Sequence, residues 1–403
     1  MIPALRARFN AAFTAERYAR FRKTVAARAG APIEFRLSET PCFLPAPLAH
    51  DLVAAGHALI DQLLGHPDYR RAADAVVPPA FRLAGGETSP TFIQVDFGLV
   101  RTDVGIEGRL VELQAFPSLY GFQALLAETA IEAWDLDGVT PYLGGLDATG
   151  YDALMRRALV GDHDPSEVVL LEIDPAHQKT LPDFTATERR WGVRAVDLRD
   201  VVREGRRLFA VAGGRRTRIA RIYNRVIPDE LERRGLAWPF PSDAPLDVEW
   251  TGGPDWYFRL SKFALPWLRH PWVPRTMFLD EITGDPPAGH DWVLKPLFSF
   301  AGGGIVFSPT AGDLAAIPDD RRRLYALQER VAFTPVIDTP CGPTQVEIRV
   351  MYVRDGQTYR AVLPLGRMGR GLMMGVDHNK GLDWVGAAAV LVEGDGSPYS
   401  LYK

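Results

Sequence analysis

Between Asp291 and Pro309 the chain reads DWVLKPLFSFAGGGIVFSP. An apolar run ends at Lys295, a short link follows, and three glycines (Gly302, Gly303, Gly304) precede a second apolar run, Ile305-Val306-Phe307. Few local structures accept that order. The apolar runs suit strands. The glycines suit a turn in which the backbone takes φ > 0 and approaches a bound group with no Cβ in the way. Successive N–H groups in such a turn form an anion-binding concavity, and Lys295 adds a positive charge at its mouth. The same residues also suit an ordinary hairpin, so the rest of the chain has to choose between a phosphate grip and a plain turn.

Composition narrows the classes. The chain has 403 residues, 47% of them apolar and 24% charged, enough for roughly two to three domains. A net charge of −4 provides no global field for nucleic acid or an anionic membrane. Arg215 to Arg225 is locally basic, and Arg215, Arg216 and Arg218 suit a solvated surface. Two cysteines, Cys42 and Cys341, make no disulfide framework and have no neighbours at metal-ligand spacing. The first residues mix charged and apolar side chains, unlike a cleaved signal peptide. No run approaches the ~20 apolar residues that span a bilayer. The expectation is a soluble, cytoplasmic protein acting on small molecules, without nucleic-acid or membrane partners and with a homodimer left open.

Residues 1 to about 80 read as helices, with Leu48 to Leu64 strongly amphipathic. Thr91 to Val100 then reads as a strand, Ile106-Glu107-Gly108 as a turn and Arg109 to Ala115 as a second strand. Asp96 lies inside the first, and an acid in an apolar strand is expensive unless paired or metal-bound. Glu112 and Gln114 lie two apart on the second and share a face. Asp96, Glu112 and Gln114 on adjacent strands would suit Mg²⁺, a hard cation that takes oxygen ligands; a half-exposed sheet face would carry the same residues. A helix follows from Phe122 to Ala133.

From 151 to 240 strands (Val168 to Ile173, Val193 to Val196) alternate with helix (Phe184 to Trp191), which argues for a parallel sheet. Ligands of such sheets collect beyond the carboxyl ends of strands. That marks Asp174 to Thr180 and Tyr223-Asn224-Arg225 as candidates for substrate contact. Trp256 to Arg269 reads as an apolar helix holding Lys262. Leu324 to Val331 reads as a strand closing on Gln328 and Glu329. In Gln345 to Tyr352, Gln345, Glu347 and Arg349 share one face, Glu347 and Arg349 also being suited to a simple ion pair. Asp355-Gly356 turns the chain into Thr358 to Leu365, with Arg367 after that strand, then a Gly/Met loop and Asp377 to Gly381, which includes Asn379. Expected segments are helices over 1–90, paired strands over 91–150, an α/β unit over 151–245, a lysine and glycine-loop unit over 246–330, and C-terminal strands over 331–403.

The order Lys262, Lys295, Ser299 to Gly304, Gln328-Glu329-Arg330-Val331, Arg349, Arg367, Asn379 resembles the ATP-grasp superfamily over about 256 to 381. The strands carrying Asp96, Glu112 and Gln114 precede the lysines. That placement resembles the circularly permuted ATP-grasp group that includes the synthetase domain of glutathionylspermidine synthetase. The resemblance implies a mixed α+β and α/β fold: two α+β subdomains clasping ATP in permuted strand order, an α/β pre-ATP-grasp-like domain, and N-terminal helices. It implies ATP held by Lys262, Lys295, Ser299, Gly302, Gly303, Gly304, Gln328, Glu329, Val331 and Asn379. Mg²⁺ would rest on Asp96, Glu112 and Gln114, with Arg349 and Arg367 catalytic. Gln114 stands where the group has asparagine, and Gln94 where it has an arginine. The implied activity joins a carboxylate to an amine through an acylphosphate. The alternatives are a nucleotide-binding scaffold or regulator with degraded catalysis, and a small-molecule kinase.

Overall fold

Alternating apolar and polar residues build the largest sheet of the computed structural model, which describes residues 1–241, 243–299, 302–375, 379 and 381–394. Across that seven-stranded sheet the order is Cys42–Leu44, Gly386–Glu393, Thr358–Gly369, Gln345–Asp355, Phe92–Thr102 and Gly105–Gln114. Val139–Thr140 pairs beside Gly386–Glu393. Strands from opposite ends of the chain therefore meet, Gln345–Asp355 running antiparallel to Phe92–Thr102. The period of two sends Ile93, Val95, Phe97, Val346, Ile348 and Val350 into one apolar core with the helix Ala46–Leu64. The other face is apolar at Phe92, Met351 and Val353. It turns polar at Gln94, Asp96, Glu347 and Arg349.

A four-stranded sheet, Glu249–Thr251, Arg221–Asn224, Val168–Glu172 and Arg194–Asp197, is parallel throughout, as the alternation of strand and helix requires. Its Val168–Glu172 strand is buried along its length, the pattern of a strand covered on both faces. A three-stranded meander, Val201–Glu204, Arg207–Ala212 and Arg215–Ile219, is inserted between its strands and carries the exposed arginines Arg215, Arg216 and Arg218. The remaining antiparallel sheet, in the order Thr276–Phe278, Tyr325–Glu329, Trp292–Pro296, Val306–Phe307, contains the expected strand–glycine turn–strand unit. Gly302 and Gly304 take φ of +77° and +71° there. No helix among the described residues is long and apolar enough to cross a membrane.

Several expectations are corrected. The turn after the Asp96 strand falls at 103–104, because the second strand already begins at Gly105 rather than after Gly108. Trp256 to Arg269 is not one helix. A single turn, Trp256–Arg259, gives way to a 3₁₀ segment, Lys262–Trp267, whose Pro266 lacks the N–H an α-helix needs. The N-terminal helices are interrupted by the strand Cys42–Leu44, and Gly386–Glu393 forms a strand within the C-terminal segment expected to hold strands. Arg367 lies inside Thr358–Gly369, and Val331 beyond the end of Tyr325–Glu329. Residues 300–301 of the glycine loop, 377, 378 and 380 of the Asp377 to Gly381 segment, and the last nine residues lie outside the described residues.

Helix Ala46–Leu64 lies against Tyr352 of the sheet at Gly56. A Cβ there would lie 1.9 Å from the hydroxyl oxygen of Tyr352, which donates to Val53 O at 3.0 Å. Gly56→Ala gains about 1 kcal/mol of helix propensity and loses about 1–3 kcal/mol to overpacking. With the Tyr352 bond also displaced, the urea midpoint is expected to fall; an unchanged or higher midpoint would contradict this contact.

Candidate functional site

The charged face of the seven-stranded sheet is assembled by two one-residue register shifts. Between Phe92–Thr102 and Gly105–Gln114 the pairing slips between Asp96 and Phe97, leaving Val111 with no opposite residue and setting Asp96 across from Glu112. Between Gln345–Asp355 and Thr358–Gly369 it slips between Met351 and Tyr352, leaving Val362 unopposed and setting Glu347 across from Arg367. Carried unshifted from the turns, the same ladders would oppose Asp96 to Val111 and Glu347 to Gly366. Such bulges re-aim side chains, and here each brings a charged residue opposite an acid.

Arg349 stands opposite Asp96 and grips it with both arms, Nε to Oδ1 and Nη2 to Oδ2, each at 2.6 Å. Arg367 Nη2 donates to Asp96 Oδ2 at 2.5 Å and also to Glu347 Oε1. Arg349 Nη1 donates to Gln94 Oε1 at 2.8 Å, and Gln94 Nε2 donates to Ser118 O at 2.8 Å. Gln114 Nε2 donates to Gln94 Oε1 at 3.0 Å; turned over, the amide instead donates to Glu112 Oε1 at 3.0 Å and accepts from Arg349 at 3.2 Å. Burial would raise the Asp96 carboxyl, but Arg349 and Arg367 outweigh it and hold it below the ordinary carboxylate range. At Glu347 burial wins over Arg367 and the carboxyl is raised.

The two lysines approach from the other side. Lys262 Nζ donates to Ser299 O at 2.6 Å and lies 3.9 Å from Glu112 Oε2. Lys295 Nζ donates to Gln328 Oε1 at 2.5 Å and to Val111 O, the carbonyl of the bulged residue, at 3.1 Å. Burial lowers the Lys295 ammonium to about 8, Lys262 adding to the effect and Glu112 opposing it. Four cations (Lys262, Lys295, Arg349, Arg367) thus face three carboxylates (Asp96, Glu112, Glu347), an excess of one positive charge. Gln328 Nε2 is buried with no hydrogen-bond partner. An unpaired buried donor beside a basic excess suits an anionic ligand with acceptor atoms.

Other expected residues fall around this centre. Val331 and Phe333 pack over Gly98, where a Cβ would sit 3.0 Å and 2.7 Å from them. Gly302 lies against the loop after Arg367, its would-be Cβ 2.4 Å from Met373 Cε, while Gly303 and Gly304 are exposed. The Ser299 hydroxyl donates to Pro296 O at 3.3 Å. Glu329 turns outward to His290 Nδ1 at 3.1 Å. The amide of Asn379 is spent on loop backbone, accepting from Arg370 N at 3.2 Å and donating to Met373 O at 2.9 Å. Glu347 pairs with Arg367 rather than with Arg349 on its own strand, which period-two reading alone does not reveal. Among the described residues no three His, Cys, Asp or Glu side chains stand together as metal ligands. Both Asp96 oxygens are taken by guanidinium groups. Glu112 is the expected metal carboxylate with no guanidinium on it.

The candidate substrate segments end in a separate polar nucleus. Asp183 accepts from Leu119 N, Phe122 N and Arg225 Nη1, the last at 2.6 Å, so Arg225 helps tie down the chain following the Gln114 strand. Gln178 donates to Ile173 O and Glu230 Oε1.

Comparison with solved structures finds a glutathione synthetase-like effector, GSS30, from Globodera pallida in its apo form. It superposes with a TM-score of 0.59 at 11% identity, covering 94% of this chain and 96% of that one. The likeness is one of fold: this chain has a glutathione synthetase-like fold over nearly its whole length. No family model and no curated protein matches the chain.

Two measurements test the charge network. Asp96→Asn leaves the buried Arg349 guanidinium and the half-buried Arg367 without their shared anion and is expected to cost about 3–5 kcal/mol in urea unfolding; a loss below about 1 kcal/mol would show that Asp96 does not organise the cluster. For Lys295 the folded value (about 8) lies below the unfolded one (10.5), so the unfolded state binds more protons between them. The cost of the buried charge is full below pH 8 and disappears as pH rises through 10.5. Lys295→Met is therefore expected to stabilise most below pH 8, the margin shrinking steadily above it.

Proposed function

We propose that the protein is an ATP-dependent ligase that joins a small-molecule carboxylate to an amine through an acylphosphate. The observation that carries this reading is the grouping of Lys262, Lys295, Gln328, Arg349 and Arg367, drawn from two sheets and the 3₁₀ segment Lys262–Trp267, with the Glu112 carboxylate among them. Their single positive excess and the unpaired Gln328 amide suit a polyphosphate nucleotide. The glutathione synthetase-like fold supports the same class.

Lys295 and Lys262 would bind phosphate oxygens, the first after releasing Gln328 and the second after releasing Ser299 O. Gln328 would then offer its amide to the base. Arg349 and Arg367 are the guanidinium forks suited to the γ-phosphate or the substrate carboxylate. The substrate carboxylate attacks the γ-phosphorus with ADP leaving, and the amine then attacks the acyl carbon, expels phosphate and loses a proton. Mg²⁺ takes one or two carboxylates together with phosphate oxygens, and Glu112 meets that need; bound there, it would offset charge developing on the phosphates. The glycine turn, with Gly302 beside Met373, would keep water from the acylphosphate.

A second reading, a nucleotide-binding scaffold or regulator, is favoured by the double grip on Asp96 and by glutamine at positions 94 and 114. Calorimetry with ATP and MgCl₂ separates these readings from a plain fold relative. Binding is expected, and Lys295→Met should weaken it at least about tenfold, the scale of one charge-assisted hydrogen bond. No binding at millimolar ATP would end both. ADP release dependent on an acid–amine pair distinguishes ligase from scaffold, and a product that retains the phosphate would identify a kinase.

A further inference from the structure

A second cluster of cations lies at the far end of the Arg349 strand, in a cleft of about 310 Å³ between the helix Ala148–Leu159, the start of Arg221–Asn224 and the hairpin turn at Asp355-Gly356. Arg157, Arg221 and Arg354 line it, with Asp355 the lining carboxylate and the Thr91 segment beside them. Three guanidiniums line the cleft against one lining carboxylate, with Glu249, which accepts from Arg221 Nη1 at 2.7 Å, and Glu87, which acts on Arg354, as the neighbouring acids.

The hydrogen bonding there is unfinished. Arg157 meets Asp355 at only 3.3 Å across an exposed pair. Arg221 spends Nη1 on Glu249 and Nη2 on Ala158 O, yet its Nε is buried with no partner. The Arg354 side chain is half-buried and has neither a hydrogen bond nor an ion pair among the described residues. Glu87 acts on it electrostatically, but the Glu87 oxygens are already taken by Thr91 Oγ1 and by the N–H groups of Gly252 and Gly253. The Arg354 guanidinium and Arg221 Nε are thus the donors left without an acceptor, and guanidinium forks in a concave site suit tetrahedral oxyanions. The volume is at the lower end of ligand pockets, about 300–1,000 Å³.

We propose that this cleft binds a small phosphate-class anion, inorganic phosphate, pyrophosphate or the phosphate of a small metabolite, through Arg157, Arg221 and Arg354. Arg354 and Arg349 are five residues apart on one strand, about 17 Å at the usual rise, so the cleft is separate from the Asp96 cluster and does not depend on the ATP reading.

The test is calorimetry of the full chain with inorganic phosphate, pyrophosphate and citrate in a buffer free of multivalent anions. Phosphate or pyrophosphate is expected to bind one per chain at this cleft, separately from any binding at the Lys295 cluster. Arg354→Gln, which breaks no existing bond, and Arg157→Gln should each weaken binding at least about tenfold, while Lys295→Met, in the other cluster, should leave it within about twofold. Absence of heat with either phosphate ligand, or binding of citrate alone, would overturn the proposal. So would binding that survives Arg354→Gln and is lost in Lys295→Met.

Discussion

A carboxylate at 2% exposure in the middle of a sheet has to find positive charge or lose its own, and most of the arrangement around Asp96 follows from that. Arg349 answers with a bidentate grip and Arg367 with a third hydrogen bond. Arg367 in turn requires Glu347, and Arg349 requires Gln94. Each added cation brings another acceptor into the interior. A buried network of this kind is costly when incomplete, so the residues joining the Asp96 strand to the C-terminal hairpin bond one another almost fully. The result is a polar band laid across a sheet whose opposite face packs into an apolar core.

The band exists because two ladders slip by one residue. Without the slip at Val111, Asp96 would oppose a valine, and the Val111 carbonyl would remain in the ladder rather than accept from Lys295. Without the slip at Val362, Glu347 would oppose Gly366, leaving Arg367 on the wrong face. A shift of one residue reverses every side chain beyond it, so each bulge decides which face the charges occupy. The Lys295 contact with the bulged carbonyl also joins the antiparallel lysine sheet to the seven-stranded one. The candidate site lies along that seam, where two elements could clasp a ligand.

Much of this was legible in the sequence. The glycine triplet flanked by apolar runs dictates a strand, a left-handed turn and a strand. The alternation in QVEIRVMYV puts Glu347 and Arg349 on one face. The apolar run VVLLE dictates a buried parallel strand. Asp96 declared itself as an acid needing a partner, though Mg²⁺ and arginine were equally good candidates on residue type alone. The Trp256 to Arg269 stretch misled because its apolar spacing is helical while Pro266 denies it the hydrogen bonds. The strand at 42–44 was missed, and the bounds of 386–393 were not read within the expected C-terminal strands, because apolar runs without alternation carry little periodicity.

What the sequence determined by itself is local: which residues turn, which alternate, and which charges must be answered in the interior. Which charge answers which was decided only in three dimensions. Asp96 lies some 250 residues from Arg349, and no short-range pattern records that their strands are neighbours. The bulges add a second layer, since an extra residue in a ladder has no signature beyond an apolar side chain such as Val111 or Val362. Partner choice across a sheet is a matter of register, and register is set by the packing of the whole apolar face rather than by the few residues that carry the charge.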